Sequence, residues 1–279
     1  MQTWRREPIN DTELRRELAY PVGPVRKLVA VAELASTNTA LVEAALTEPL
    51  LWPERTVLLA DHQTAGRGRQ GRSWQTPAGT SLTLSLLLRP AGEQHQLPVV
   101  TLGLALAACR AITQLTGISA QVKWPNDVVV DLGEQSVSLA GWGTLRKVGG
   151  ILAQSLGDGR VVIGIGLNLS QEQAELPVPH ASSLHLAGAR PVTREALATC
   201  LVREFFDLLA QGLDEVLQLA TPQVVTLGKQ VQVTLPGEQQ VQGLALGLSP
   251  TGALVVQGAD GQCTEVLAGE VTHLRFATN

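Results

Sequence analysis

Along this chain, stretches whose apolar residues recur every second position give way to stretches where they recur every three or four. Leu28 to Glu33 is a short apolar run that predicts a buried strand. Ser36, Thr37 and Asn38 then form an N-cap cluster for a helix through Ala40, Leu41, Ala44 and Ala45. Thr56 to Asp61 predicts a second apolar strand. After the turn Pro77-Ala78-Gly79, Leu82, Leu84, Leu86 and Leu88 alternate with Ser81, Thr83 and Ser85, the period of a half-buried strand. Pro98 to Leu115 reads as a long apolar helix. Gln121 to Asp131 and Lys147 to Leu156 read as strands flanking a Gly- and Ser-rich connection, and Arg160 to Leu169 continues the sheet after Gly157-Asp158-Gly159. Thr193 caps a helix whose Leu197, Leu201, Phe205 and Leu208 form one core-packing stripe. Before all this, residues 1–24 are polar, with a short helix at Thr12 to Leu18, and amount to too little for a helix-turn-helix domain.

Past Pro222 the texture changes to short Val/Leu/Gln strands, Val231 to Leu235, Val241 to Leu248 and Ala253 to Gln257, separated by turns such as Pro236-Gly237 and Asp260-Gly261. Five or so closely spaced strands there suggest a small β-barrel. The expected division is an N-terminal extension over 1–24, a larger domain over 25–220 and the barrel over 222–279.

Composition narrows the function. Hydrophobic content of 44% over 279 residues supports a sizeable core, and aromatics at 3% make that core aliphatic. A formal net charge of −4 argues against a surface that coats duplex DNA. Three distant cysteines, Cys109, Cys200 and Cys263, fit a reducing compartment better than a disulfide framework. No signal peptide is visible. The longest apolar stretch, Val99 to Cys109, is shorter than the roughly 20 residues that cross a bilayer. A cytoplasmic protein without membrane or nucleic-acid partners is the expectation.

Against that mildly acidic background, Gly66-Arg67-Gly68-Arg69-Gln70-Gly71-Arg72 places three guanidinium groups and three glycines in seven positions, directly before Ser73-Trp74. Glycines let backbone approach a ligand closely, and guanidinium forks match carboxylate and phosphate oxygens in pairs. The stretch looks built to close over a small, multiply anionic ligand. Lys147, on a strand otherwise of Val, Gly and Ile, calls for an anionic partner.

Taken in order, Ser36-Thr37-Asn38, the loop from Gln63 to Trp74, Lys123-Trp124-Pro125-Asn126-Asp127, Arg146-Lys147-Val148-Gly149-Gly150-Ile151-Leu152 and Gly164-Ile165-Gly166-Leu167-Asn168 resemble the biotin protein ligases. The resemblance runs from about Leu28 to the C-terminus and includes Ala181-Ser182-Ser183-Leu184. It implies an α+β catalytic domain with a mixed sheet, similar to class II aminoacyl-tRNA synthetases, followed by an SH3-like barrel. It implies an enzyme that consumes ATP with Mg2+, activates biotin as biotinyl-5′-AMP and transfers it to a lysine of the biotin carboxyl carrier protein of acetyl-CoA carboxylase.

By the same resemblance, Lys147, Arg67, Arg69 and Asp127 carry the chemistry. Biotin contacts fall to Ser36, Thr37, Asn38, Gln63, Gly66, Arg67, Gly68, Arg69, Lys147 and Gly149. The nucleotide falls to Arg67, Arg69, Arg72, Trp74, Asn126, Lys147 and Asn168. Arg72 ties the loop down or contacts phosphate, and Trp74 covers the adenine side. Asn126 and Asp127 orient Lys147, water or the metal. Magnesium is carried mainly by the ATP phosphates, with Asn168 as a contact to ATP or its metal. Ser36 to Asn38 and Asn168 serve equally well as helix-capping and turn residues. The resemblance allows a homodimer without requiring one.

Three departures stand out. Residues 132–145 are inserted where many relatives make a tight turn, and carry Leu139-Ala140-Gly141, a copy of the Lys147 motif without its lysine. Trp142 within the insertion reads either as a lid or as a hydrophobic peg. Gln70 stands where some relatives have arginine, and the DNA-binding domain of repressor-type relatives has no counterpart. A lipoate or octanoate ligase or transferase on the same scaffold, and a non-catalytic biotin-sensing regulator, are the competing readings. The complete arginine loop speaks against the first, and the acidic balance against the second.

Overall fold

The computed structural model describes residues 4–90, 96–235 and 237–274. Its centre is a seven-stranded mixed sheet built from β1 (Lys27–Leu34), β2 (Thr56–Gln63), β5 (Ser81–Leu88), β6 (Ala120–Lys123), β7 (Asp127–Asp131), β8 (Leu145–Ser155) and β9 (Val161–Asn168). The order is β1-β2-β5-β9-β8-β7-β6; β1 and β2 run parallel and every other neighbouring pair is antiparallel. Between β2 and β5 the Gly/Arg stretch forms a hairpin of β3 (Gly66–Arg67) and β4 (Ser73–Trp74).

One sheet face is covered by α3 (Leu97–Thr116), which in turn packs on α4 (Arg194–Ala210) and α5 (Leu213–Ala220). Leu82, Leu84, Leu86, Ile163, Ile165 and Leu167 pack with Leu102, Ile112, Leu201 and Phe205 in one aliphatic core. The stripe expected on α4 is buried as the 3.6-residue period demands. The first helix, α1 (Asp11–Leu18), joins this core through Leu14 and Leu18, both fully buried, and packs on α4. The opposite face receives α2 (Thr37–Thr47), whose Leu41 and Ala45 meet Leu58, Leu87 and Val162.

By length and composition α3 is apolar enough to cross a membrane, longer than the run over 99–109 suggested. Its most apolar window is 78% buried inside the protein, which is how a central core helix reads.

Two further strand expectations need correcting. Gln121 to Asp131 is not one strand: the chain reverses at Trp124-Pro125-Asn126 and β6 pairs back on β7. Proline has no N–H to give a ladder, so the segment breaks there. Ser81 to Leu88 is buried on both faces rather than one. Its Ser/Thr side lies under α2 and a cavity, where the hydroxyls find protein partners instead of water: Thr83 donates to the carbonyl of Ala60 at 2.8 Å.

A five-stranded antiparallel sheet follows, formed by β10 (Gln230–Thr234), β11 (Gln240–Leu248), β12 (Leu254–Gln257), β13 (Cys263–Val266) and β14 (Glu270–His273) in the order β13-β12-β11-β10-β14. Of the expected turn Pro236-Gly237, Pro236 lies outside the described residues. The small sheet seats on the large one through Trp124, fully buried, whose indole N–H donates to the Gly252 carbonyl at 3.1 Å and whose backbone N–H donates to Thr226 Oγ1 at 3.1 Å.

Candidate active site

Strand register assembles the site before any loop does. One row across the large sheet reads Lys123, Asp127, Gly150, Gly166, Thr83 and Ala60, all cross-strand partners in turn. Partners in register project from the same sheet face, the one α2 covers. Lys147 would project away from that face under strict alternation with Gly150. A bulge at Val148, where Val128 pairs with Gly149 but Val129 pairs with Lys147, shifts the parity by one residue. Lys147 therefore stands beside Gly150 and Asp127, its Nζ 2.5 Å from Asp127 Oδ1.

A cavity of about 650 Å³ opens over this row. Its closed end is polar. Ser36 caps α2, and Thr37 donates from its backbone N–H and its hydroxyl to Gln63 Oε1 at 2.7 and 3.0 Å. Ser85 Oγ donates to Asn38 Oδ1 at 2.6 Å and lies 2.8 Å from Thr37 Oγ1, while Asn38 Nδ2 donates to the Leu152 carbonyl at 2.9 Å. The recess exists because β9 is bare there: a Cβ on Gly164 would stand 2.0 Å from Asn38 Oδ1. Two residues on, a Cβ on Gly166 would come within 2.6 Å of the Trp74 indole, which lies on the bare floor that Gly150 and Gly166 leave.

The middle of the cavity is cationic. Arg69 Nη1 donates to Asn126 Oδ1 at 3.1 Å, and Asn126 Nδ2 donates to the Ile151 carbonyl at 2.7 Å, so the hairpin is tied to β8. Burial lowers the Arg69 pKa from its ordinary value, and Asp127 opposes that shift. Arg67 is exposed at the cavity wall. Arg72 pairs with Glu270 on β14 at the cavity's edge and fastens the hairpin to the small sheet. Gln70 at φ 55° and Gly71 at φ 73° make the tight tip that lets Arg67 pair with Ser73. Lys123 is 97% buried; it donates to the Val271 carbonyl at 2.5 Å, and burial lowers its pKa.

The far end is aromatic. Trp142 stacks on His180 with ring centroids 4.2 Å apart at 11°, and Lys123 Nζ lies 4.5 Å from the Trp142 ring centre. Burial first, then Lys147, lowers the His180 pKa.

Of the residues expected from the sequence, Ser36, Thr37, Asn38, Gln63, Arg67, Gly68, Arg69, Arg72, Trp74, Asn126, Asp127, Lys147 and Asn168 all border the cavity. Gly66 and Gly149 stand behind the wall instead. A Cβ on Gly66 would meet the Trp74 carbonyl oxygen at 2.4 Å, and one on Gly149 would meet Leu167 Cδ2 at 2.4 Å, so both serve close packing. Asn168 borders the cavity with its amide engaged, donating to the Ser182 carbonyl at 3.0 Å and accepting from Gln171 at 2.9 Å.

Sequence reasoning gave no site role to Ser85, Lys123, His180, Gly164 or Gly166, and left Trp142 between a lid and a hydrophobic peg. Two glycines spaced two apart in a strand, all on one face, were the available signal for a ligand-facing floor. His180 carried none, because its place depends on the backbone of 180–182 bonding to Lys147.

Known proteins resemble this chain in sequence and in fold. The profile of the Biotin/lipoate A/B protein ligase family matches residues 31–169, and that of the Biotin protein ligase C terminal domain matches 226–274. The biotin--[acetyl-CoA-carboxylase] ligase of Mycobacterium tuberculosis is 33% identical over 97% of this chain and 97% of its own length. The Bacillus subtilis bifunctional ligase/repressor BirA is 30% identical over 75% of this chain, which spans 63% of that longer protein. Among solved structures, the biotin protein ligase of Aquifex aeolicus in complex with biotin and ATP matches with a TM-score of 0.71 at 27% identity, over 90% of this chain and all of that one. With the arginine hairpin, the bulge-presented lysine and the capped polar recess converging on one cavity, this chain is an enzyme of the biotin protein ligase family.

Proposed function

We propose that this enzyme activates biotin as biotinyl-5′-AMP at the expense of ATP, releasing pyrophosphate, and passes the biotinyl group to a lysine of a biotin carboxyl carrier protein. The observation that carries this reading is the position of Lys147 between the polar recess and the cationic middle. The recess offers hydroxyl and amide partners suited to a ureido ring, where each unmet buried group would cost about 1–3 kcal/mol. The ligand's carboxylate, reaching out of the recess, would meet the Lys147 ammonium.

In the first step a carboxylate oxygen attacks the α-phosphorus of ATP, the bond to the β-phosphate oxygen breaks, and pyrophosphate leaves. Two anions must approach, and charge builds on the phosphate oxygens. Lys147, paired with Asp127, and Arg69, bonded to Asn126, would be fixed cations around that point, with Arg67 exposed at the cavity wall, and such preorganised charge is the main catalytic resource for phosphoryl chemistry. Asp127 holds Lys147 and would orient it toward the substrates. In the second step an incoming lysine amine attacks the anhydride carbonyl, losing a proton, and AMP departs.

Magnesium would be held chiefly by phosphate oxygens, where it would neutralise charge. The cavity's two carboxylates, Asp127 and Glu270, are each paired with a cation, and the described residues hold no group of three or more His, Cys, Asp or Glu. Asn168, whose Oδ1 accepts from Gln171, would be a neutral contact to ATP or its metal. The fold labels of class II synthetase-like sheet and SH3-like barrel, and a cytoplasmic location, belong to the same proposal.

The test incubates the protein with ATP, magnesium, biotin and a carrier domain, then weighs the carrier by mass spectrometry. Gain of one biotinyl group is the expected result; an unmodified carrier together with tight calorimetric binding of lipoate instead of biotin would move the enzyme to lipoate transfer.

A further inference from the structure

At the end of β9 the cavity wall meets a buried network of amides and hydroxyls that no step of the proposed reaction uses. Asn168 joins the two, bordering the cavity with 5% of its surface exposed. Both ends of its amide are engaged: Nδ2 donates to the Ser182 carbonyl at 3.0 Å, and Oδ1 accepts from Gln171 Nε2 at 2.9 Å. An asparagine amide carries two N–H groups and an oxygen with two lone pairs, so one of each is left over. Held at one end alone, such an amide could turn over and exchange donor for acceptor. The Ser182 carbonyl and the Gln171 N–H together allow one orientation.

Gln171 acts from behind the wall. It is 1% exposed, and its Nε2 also donates at 2.6 Å to Oγ of Ser81, the residue opposite Asn168 in the β5–β9 ladder. Its backbone carbonyl accepts from Ser183 Oγ at 2.7 Å. Its Oε1 is buried with no hydrogen-bond partner among the described residues. A buried oxygen in that state lowers stability, so packing alone would favour an apolar side chain of similar length. Such a side chain would lack the two N–H donors that reach Asn168 and Ser81.

The segment carrying Gln171 is clamped from the N-terminal extension. Arg6 Nη2 donates to the Ser170 carbonyl at 2.8 Å, and each Nη donates to one Glu175 carboxylate oxygen at 2.8 Å. Close approach makes this possible: a Cβ on Gly79, beside β5, would stand 2.4 Å from the Arg6 carbonyl oxygen.

We propose that Gln171 is a positioning residue, fixing the Asn168 amide in the orientation that meets the triphosphate of the bound nucleotide, and that Arg6 holds Gln171 in place for it. This rests on the nucleotide reading above. Gln171 does not border the cavity and acts through Asn168.

The test is calorimetric titration of the whole chain with α,β-methylene-ATP and magnesium, which bind without reacting, and separately with biotin. Gln171→Met should weaken the analogue about fivefold or more, the scale of one net hydrogen bond, with biotin affinity held within about twofold. Its melting temperature should equal or exceed that of wild type, because the unpartnered oxygen leaves with the donors. In an Asn168→Ala background, adding Gln171→Met should cause no further loss, since the coupling runs through that amide. Arg6→Ala alters an exposed side chain and covers the case in which the buried variants fail to fold; it should weaken the analogue about two- to threefold and leave biotin unchanged.

Analogue binding that is unchanged in Gln171→Met or in Arg6→Ala overturns the inference. So does a loss shared equally with biotin, or one that adds in full to that of Asn168→Ala, since either marks a purely structural role. Wild-type protein that shows the coupling with Asn168 but never modifies a carrier would refute the ligase proposal and leave this inference standing.

Discussion

Single side chains in this enzyme are answerable to single atoms. Lys147 sits 2.5 Å from Asp127 and faces the cavity only because Val148 is bulged. Lys147→Ala should lower biotin-dependent pyrophosphate release by about a hundredfold or more, the scale of losing one preorganised charge at a transition state. Its melting temperature should stay close to wild type, since the side chain is not part of the aliphatic core. Wild-type pyrophosphate release by that variant would remove Lys147 from the chemistry. Gly164 is as constrained as any catalytic group. In Gly164→Ala the new methyl collides with Asn38 Oδ1, so biotin affinity should fall about tenfold or more while far-UV circular dichroism is unchanged; calorimetry with biotin checks it.

Arg67, Arg69 and Lys147 stood out by residue type in glycine-rich or apolar surroundings, whereas Ser36 to Asn38 read as an ordinary helix cap and gained a binding role only through the family resemblance. Lys123 was quoted within its motif yet not assigned a role. Burial turns a lysine from a solvated surface group into a structural one, and burial is a property of the folded chain.

Among elements, the strands and long helices follow from periodicity, and their errors have one cause. A period reports which residues share a face, not what covers that face. Ser81 to Leu88 showed a polar side, and the fold placed that side beneath α2 and the cavity. The same limit applied to β14, a short strand whose His273 is enclosed with its Nε2 unpaired.

Burial, together with Lys123 and Lys229, lowers the His273 pKa from an ordinary 6.5 to about 4. The unfolded chain therefore takes up a proton near pH 6.5 that the folded chain refuses until about pH 4. Stability from this group is full above pH 6.5 and declines as the pH falls toward 4, by at most about 1.4 kcal/mol per pH unit, less where solvent screens the ring. His180, also lowered, adds to the same slope. His273→Gln should flatten urea-denaturation stability between pH 6.5 and 4; an unaltered slope would show that His273 is not a source of the decline.

For the whole molecule, the two sheets are joined through the site and not merely tethered. Trp124 sends hydrogen bonds into the small sheet, Lys123 holds the Val271 carbonyl, Arg72 holds Glu270, and Gly252 packs against Pro98 and Val99 of α3. Separating the sheets would expose the largest fully buried side chain and leave a buried lysine without its acceptor. Thermal unfolding should accordingly be one cooperative transition, with calorimetric and van't Hoff enthalpies equal. Two resolved transitions, the lower one matching the small sheet, would show that the contacts are incidental.

Local pattern was enough to establish the strand and helix content, the change of texture after Pro222, the anion-seeking arginine hairpin and the likeness to biotin protein ligases, because each depends on residue types within a few positions of one another. Tertiary structure alone decided that a bulge turns Lys147 inward, that glycines from β8 and β9 clear the floor, and that Trp142 meets His180 across the mouth. Those outcomes depend on register and on what lies opposite, and no stretch of chain holds that information by itself.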